Sequence, residues 1–136
     1  MSAYIFVAAA ALAVLPILFI FKICIEQVKD QDNPINGEKV QTKFFLWVAL
    51  IEVLPILLIV LGFINQTTAA SIEELYAPGL IVFVLMGFAT LFIFLQKSIG
   101  VPKEQKEFIN TFSMIGLAIA NAIPIMSIVA IAMMVP

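Results

Sequence analysis

The sequence has few charged side chains. Of its 136 residues, 12% are Asp, Glu, Lys or Arg, and there is no histidine. Hydrophobic residues make up 63%, whereas an average globular domain is about half apolar and about a quarter charged. This scarcity of charge excludes an ordinary soluble domain and predicts a polytopic membrane protein.

Other absences exclude further classes. A net charge of −2, without a basic cluster, gives no basis for nucleic-acid binding. The single cysteine, Cys24, excludes an intramolecular disulfide. Residues 1–21 contain neither lysine nor arginine, so we expect no secretory signal peptide.

Four apolar stretches divide the chain, and each is long enough to cross a bilayer as a helix. They cover residues 3–25, 44–64, 77–95 and 108–135, and they are joined by polar connections at 26–43, 65–76 and 96–107. Because these connections are short, consecutive helices are expected to be antiparallel neighbours. The predicted fold class is an all-α membrane protein with four transmembrane helices and both termini on one side.

The lysines predict which side that is. All seven lie in or beside connections 26–43 and 96–107, and the sequence has no arginine. Connection 65–76 carries only Glu73 and Glu74 as charged residues. By the positive-inside rule, loops 26–43 and 96–107 are cytoplasmic in a multi-pass protein of the cell membrane, and both termini are outside.

The two halves of the chain resemble each other. The tetrapeptide LFIF occurs at residues 18–21 and again at 91–94, and ALIEVLPI at 49–56 aligns with AIANAIPI at 118–125. Both matches preserve chain order, so they predict a tandem duplication rather than an inverted repeat. The predicted units are two helical hairpins in the same orientation, residues 1–66 and 77–136.

Glu52 is the one charged residue in the stretch 44–64, which spans roughly 31 Å as a helix. It lies about 12 Å from one end of that stretch, near the middle. An ionised and unpaired carboxylate is costly at this depth, so we expect Glu52 to hold a proton at rest. Two interpretations follow: a group that takes up and releases protons, or a protonated acid that only joins helices.

Prolines and an asparagine mark the same region of each half. Pro55 removes the backbone hydrogen bond that would reach the Ile51 carbonyl, next to Glu52. Pro124 has the same effect next to Asn121, which occupies the position aligned with Glu52. Asn121 can bond to a neighbouring carboxyl group or simply join helices.

These residues resemble the rotary ATPase proteolipids: subunit c and the duplicated vacuolar-type subunit K. In that family a polar loop residue followed by proline precedes a membrane acid by eighteen positions, and another proline follows three positions later. Here Asn33-Pro34, Glu52 and Pro55 match both spacings. The resemblance implies two c-like hairpins, a homo-oligomeric ring and an ion-carrying Glu52.

The same resemblance bears on the choice of ion. Sodium-binding c-like sites use an oxygen-bearing side chain in the first helix and a hydroxyl next to the acid. Here Val53 follows the acid, and Phe19 lies at the first-helix position 33 residues before it. Neither side chain can coordinate a cation, so a proton is predicted rather than sodium.

We therefore predict a c-like proteolipid ring that carries protons on Glu52 as part of a rotary-type ATPase. The alternative is a c-like oligomeric scaffold or pore-like protein without an ATPase, because the family's loop arginine and first-helix glycine repeat are missing. A small secondary transporter is a third possibility, but one acid offers few substrate ligands. The expected partners are further copies, membrane lipids and other membrane-sector ATPase subunits, with no cofactor, metal or catalytic residue in this chain.

Overall fold

A computed structural model describes residues 3–29 and 37–136, without the side chains of residues 37 and 38. The described residues form four α-helices: α1 (Ala3–Lys29), α2 (Gly37–Ile64), α3 (Tyr76–Ser98) and α4 (Lys106–Ala132). Short 3₁₀ turns precede α3 and α4, at Ile72–Leu75 and Lys103–Gln105. All four α-helices are long and apolar enough to cross a membrane. The structure therefore confirms an all-helical chain and indicates a multi-pass membrane protein.

Every helix is longer than its apolar stretch at the lysine-bearing end. The α1 helix runs four residues past residue 25, and α2 begins seven residues before residue 44. The α3 helix runs three residues past residue 95, and α4 begins two residues before residue 108. Hydropathy marks the part of a helix that suits hydrocarbon, whereas backbone hydrogen bonding continues into the polar residues beyond it.

The central helix of the bundle is α1. It packs against α2, α3 and α4, whereas α2 and α3 scarcely touch. Ala9, Ala10 and Ala13 are fully buried, and their small side chains allow neighbouring helices to approach closely. One narrow stripe of α1 stays exposed, at Tyr4, Ala8, Leu12, Leu15 and Phe19.

An aromatic cluster joins three helices towards the lysine-bearing end. Phe21 of α1 stacks on Phe112 of α4, with ring centroids 5.4 Å apart. Phe44 of α2 meets both rings edge-on, at 6.1 Å from Phe21 and 5.0 Å from Phe112. Gly116 makes room for this cluster, because a Cβ atom there would lie 2.7 Å from the Phe21 ring.

Hydrogen bonds join the elements at both ends of the bundle. At one end, the Ser127 hydroxyl donates to the Phe6 carbonyl over 3.0 Å, and the Ala69 amide donates to the Met134 carbonyl over 2.9 Å. The start of α1 and the end of α4 thus lie beside connection 65–71. At the other end, the Lys29 ammonium donates to the Gln96 and Ile99 carbonyls, where it satisfies acceptors at the C-terminus of α3.

Candidate functional site

The α2 helix buries only one stripe of its surface. Its buried positions are separated by three or four residues, except for one gap of seven between residues 48 and 55, and their partner is mainly α1. They are Val40, Phe44, Val48, Pro55, Ile59 and Gly62. Most other apolar side chains of α2 are exposed, so the greater part of its surface faces lipid or other proteins.

Glu52 lies at the edge of this buried stripe. It is four residues after Val48 and three before Pro55, which places it beside them on the helix surface. The side chain is half-buried, while the next residue, Val53, is 55% exposed. The carboxyl group therefore sits at the border between the surface packed on α1 and the outward surface of α2.

Within the described part of the chain, Glu52 has no hydrogen-bond or ion-pair partner. An unpaired acid at this depth must be neutral, or must meet a cation or a hydrogen-bond partner from outside the described residues. The adjacent Ile51 is half-buried, and its carbonyl has lost its helical donor to Pro55. The α2 backbone thus provides one free hydrogen-bond acceptor beside the Glu52 carboxyl group, the Ile51 carbonyl, and no free donor.

The packing of α1 on α2 shows which part of α1 is level with Glu52. Gly62 lies against Phe6, and Phe44 lies against Phe21. Between these two contacts, Glu52 is level with about residues 14–16. Phe19 is therefore roughly one turn nearer the lysine-bearing end, and it is 64% exposed. The structure does not bring Phe19 to the level of Glu52.

Asn121 has a different environment from Glu52. Its amide nitrogen lies 3.5 Å from the Thr90 hydroxyl of α3, and that hydroxyl donates to the Met86 carbonyl over 2.9 Å. The Asn121 side-chain oxygen is buried and has no hydrogen-bond partner among residues 3–29 and 37–136. Pro124 is buried one turn further along α4. Asn121 thus joins α4 to α3 and does not bond to Glu52.

The two predicted hairpins differ at this level. If residues 18–21 align with 91–94, then Thr90 corresponds to Ile17. The second hairpin therefore has a polar pair between its helices, whereas the first has an acid opposite an apolar helix. The sequence pattern did not single out Thr90, and its one signal is that it is a polar residue inside the apolar stretch 77–95.

Charge is divided between the two ends of the bundle. All seven lysines lie at the end of the bundle that holds the C-termini of α1 and α3, and four of them lie within three residues of an end of an apolar stretch: Lys22, Lys43, Lys97 and Lys106. Glu73 and Glu74 lie at the opposite end, beside the start of α3. Asn33 and Pro34, which carry part of the family resemblance, lie outside the described residues. No group of three or more His, Cys, Asp or Glu residues that could hold a metal ion occurs within residues 3–29 and 37–136.

Glu52 is thus a lone carboxyl group at mid-helix, on one of the two most exposed of the four candidate membrane-spanning helices. Comparison with known proteins adds no relative. Protein-family models, curated proteins and solved structures give no match to the chain. The function must therefore be argued from the residues themselves.

Proposed function

We propose that this protein is a c-like proteolipid, which forms a membrane ring and carries protons on Glu52 as the rotor part of a rotary-type ATPase. The observation that carries the proposal is the half-buried, unpartnered Glu52 at the edge of the packed stripe of α2. A carboxyl group that must release and regain a proton needs access to a proton acceptor or donor that is present in only part of the cycle. A carboxyl group fixed by internal hydrogen bonds would lack that access.

The exposed surfaces of the helices support assembly into a ring. Both α2 and α3 are apolar around most of their circumference, and most of that surface is exposed in the single chain. Symmetric closed assembly is the usual way in which identical chains cover such surfaces. In the proposed ring, α1 and α3 line the inside and α2 and α4 the outside, which places Glu52 towards the surrounding membrane.

The proposed cycle is vectorial proton transfer without substrate chemistry. Glu52 is protonated while its surroundings are apolar, because a neutral acid costs much less there than an ion. It releases the proton where another membrane-sector subunit brings water and a fixed positive charge. We place the lysine-bearing loops in the cytoplasm, in accordance with the positive-inside rule.

A second candidate function is an oligomeric scaffold or pore-like protein with the same fold and no ATPase. The observation that favours it is Asn121, which fills the position aligned with Glu52 and bonds to Thr90 inside its own chain. Such a pair joins helices and cannot titrate. On this view Glu52 is a protonated acid that bonds to a neighbouring copy and never loses its proton.

Proton flux across vesicles made from the native membranes separates the two functions. The variant Glu52→Gln keeps the size and hydrogen bonding of the side chain and removes its titration, so the proposal predicts intact assembly with loss of flux. Asn121→Ala is the matched control, because it changes the aligned position without touching a titratable group, and flux should persist. Intact flux in Glu52→Gln would leave the scaffold as the better account.

A further inference from the structure

A second polar feature lies away from Glu52, in a cleft between α3 and α4. The cleft measures about 80 Å³ and is lined from α3 by Thr90, Ile93, Phe94 and Lys97, and from α4 by Ser113, Met114 and Leu117. One water needs about 10–15 Å³ on the same measure, so the cleft has room for a larger group. Neither proposed function makes use of it.

Two polar groups at the cleft have no hydrogen-bond or ion-pair partner among the described residues. Ser113 is 1% exposed, and its hydroxyl bonds to none of them. The Lys97 ammonium lies 5.5 Å from the centre of the Phe94 ring and pairs with no carboxylate of the described residues. A buried hydroxyl without a partner is costly, so the cleft favours an occupant that accepts hydrogen bonds.

The packing of the two helices places both groups at one depth. Thr90 lies opposite Asn121, so in antiparallel helices Lys97, seven residues further along α3, is level with Met114 and beside Ser113. This level is about 10 Å nearer the lysine-bearing end than the Thr90–Asn121 pair. Lys97 is one residue from the end of α3, which is where a membrane helix meets the lipid headgroups.

Apart from Thr90, whose hydroxyl already donates to the Met86 carbonyl, the rest of the cleft is apolar, and it opens outward. Phe94 and Met114 are 57% and 60% exposed, and they lie on the side of the α3–α4 pair that faces away from α1. Ile93 and Leu117 form the inner wall. The cleft thus has a cationic and hydroxyl-bearing end at headgroup depth and an apolar part that continues towards Thr90, nearer the membrane centre.

From this arrangement we infer that the α3–α4 cleft binds one anionic phospholipid. The phosphate group accepts hydrogen bonds from the Lys97 ammonium and, once the Ser113 side chain turns towards the cleft, from the Ser113 hydroxyl; the first part of an acyl chain lies against Phe94, Met114 and Leu117. A water molecule alone would provide a hydrogen-bond partner for the Ser113 hydroxyl. It would neither fill the apolar part of the cleft nor neutralise the charge of the Lys97 ammonium. A phospholipid fits all three features together.

Native mass spectrometry tests this on the full chain, released from nanodiscs that contain equal amounts of phosphatidylglycerol and phosphatidylcholine. The wild type should retain one phosphatidylglycerol per chain in preference to phosphatidylcholine. Lys97→Gln should lower that preference about fivefold, the factor expected for one lysine near an anionic surface. Lys97→Arg should keep it, and Ser113→Ala should reduce the retained lipid while most of the charge preference remains.

The control is Lys103→Gln, which removes an exposed lysine at the same end of the bundle but outside the cleft. It should retain as much phosphatidylglycerol as the wild type, and glycerol phosphate, which lacks acyl chains, should not displace the lipid. Equal losses in Lys97→Gln and Lys103→Gln would overturn the site, as would displacement by glycerol phosphate. A chain that retains no lipid would also overturn it, whether the cleft then holds water or a second copy.

Discussion

Gly116 is the position where the packing of α4 on α1 can be tested most sharply. A Cβ atom at Gly116 would lie 2.7 and 2.8 Å from two carbons of the Phe21 ring, whereas carbon atoms prefer about 3.5–4.0 Å. The substitution Gly116→Ala therefore forces a displacement of about 1 Å between helix and ring. Phe21 cannot turn away easily, because it is fully buried between Phe44 and Phe112.

The expected change in the free energy of unfolding follows from two opposing effects. Overpacking of a well-packed core costs about 1–3 kcal/mol, whereas alanine is better than glycine in a helix by about 0.8–1.0 kcal/mol. Gly87 in α3 provides the matched control, because a Cβ atom there meets nothing within 4 Å. Gly87→Ala should gain the helix preference alone, so Gly116→Ala should be less stable than Gly87→Ala by about 1–3 kcal/mol.

The free energy of unfolding in mild detergent, titrated with a denaturing detergent, measures this difference, and the single tryptophan, Trp47, reports on it. A double variant adds a second check. Phe21→Leu should destabilise the wild type by opening a cavity, yet it should relieve part of the strain in Gly116→Ala, so the two effects should not add. Equal stabilities for Gly116→Ala and Gly87→Ala would refute the close contact between α1 and α4 at Gly116.

Three further predictions concern sidedness, the polar pair and assembly. With Cys24 buried and therefore slow to react, Glu104→Cys should label from the cytoplasm and Glu74→Cys from outside in intact cells; labelling of both from one side would contradict the lysine argument. Thr90→Ala and Asn121→Ala should each destabilise the bundle, and a double-mutant cycle should give a coupling energy between the two side chains of about 0.6 kcal/mol, as is typical of hydrogen bonds in membrane proteins. Additive effects of the two substitutions would show that the pair does not form. Purified chains should migrate as a detergent-resistant homo-oligomer, and a monodisperse monomer in both mild detergent and lipid would exclude the ring.

The number of membrane helices could be predicted from the sequence because hydrocarbon sets one requirement that every spanning segment must meet. The ends of the helices could not. Residues such as Glu26 and Lys39 are too polar for the apolar stretches, yet they continue α1 and α2, because backbone hydrogen bonds hold regardless of which side chains project into water. Hydropathy indicates which residues suit a hydrocarbon environment, whereas the length of a helix also depends on its backbone hydrogen bonds.

Which helix lies at the centre also could not be read from hydropathy. All four stretches are similarly apolar, but α1 carries a run of alanines that lets three helices approach it. Alanines allow close approach of helices, but which helices approach depends on the shapes of all four. For example, the large ring of Phe21 can pack against α4 because Gly116, which lies opposite it, has no side chain.

For the candidate site, the sequence located Glu52 and its prolines but not the partners of the polar residues. Asn121 was a candidate partner for a carboxyl group, whereas the structure pairs it with Thr90 of α3. The pairing depends on how two helices are rotated against each other, and a difference of one residue turns a side chain by about 100°. The same holds for Lys97 and Ser113, which are 16 residues apart in sequence and level in the bundle.

The most direct test of the central claim is the labelling of Glu52 by a hydrophobic carbodiimide in native membranes, read by peptide mass spectrometry over a range of pH. Such reagents modify protonated carboxyl groups in apolar surroundings. The account predicts modification of Glu52, a decline as pH rises because only the protonated acid reacts, no protection by sodium, and no modification of the exposed Glu74 or Glu104. An unmodified Glu52 at every pH, or a Glu52 protected by sodium, would contradict the claim that this residue carries a proton.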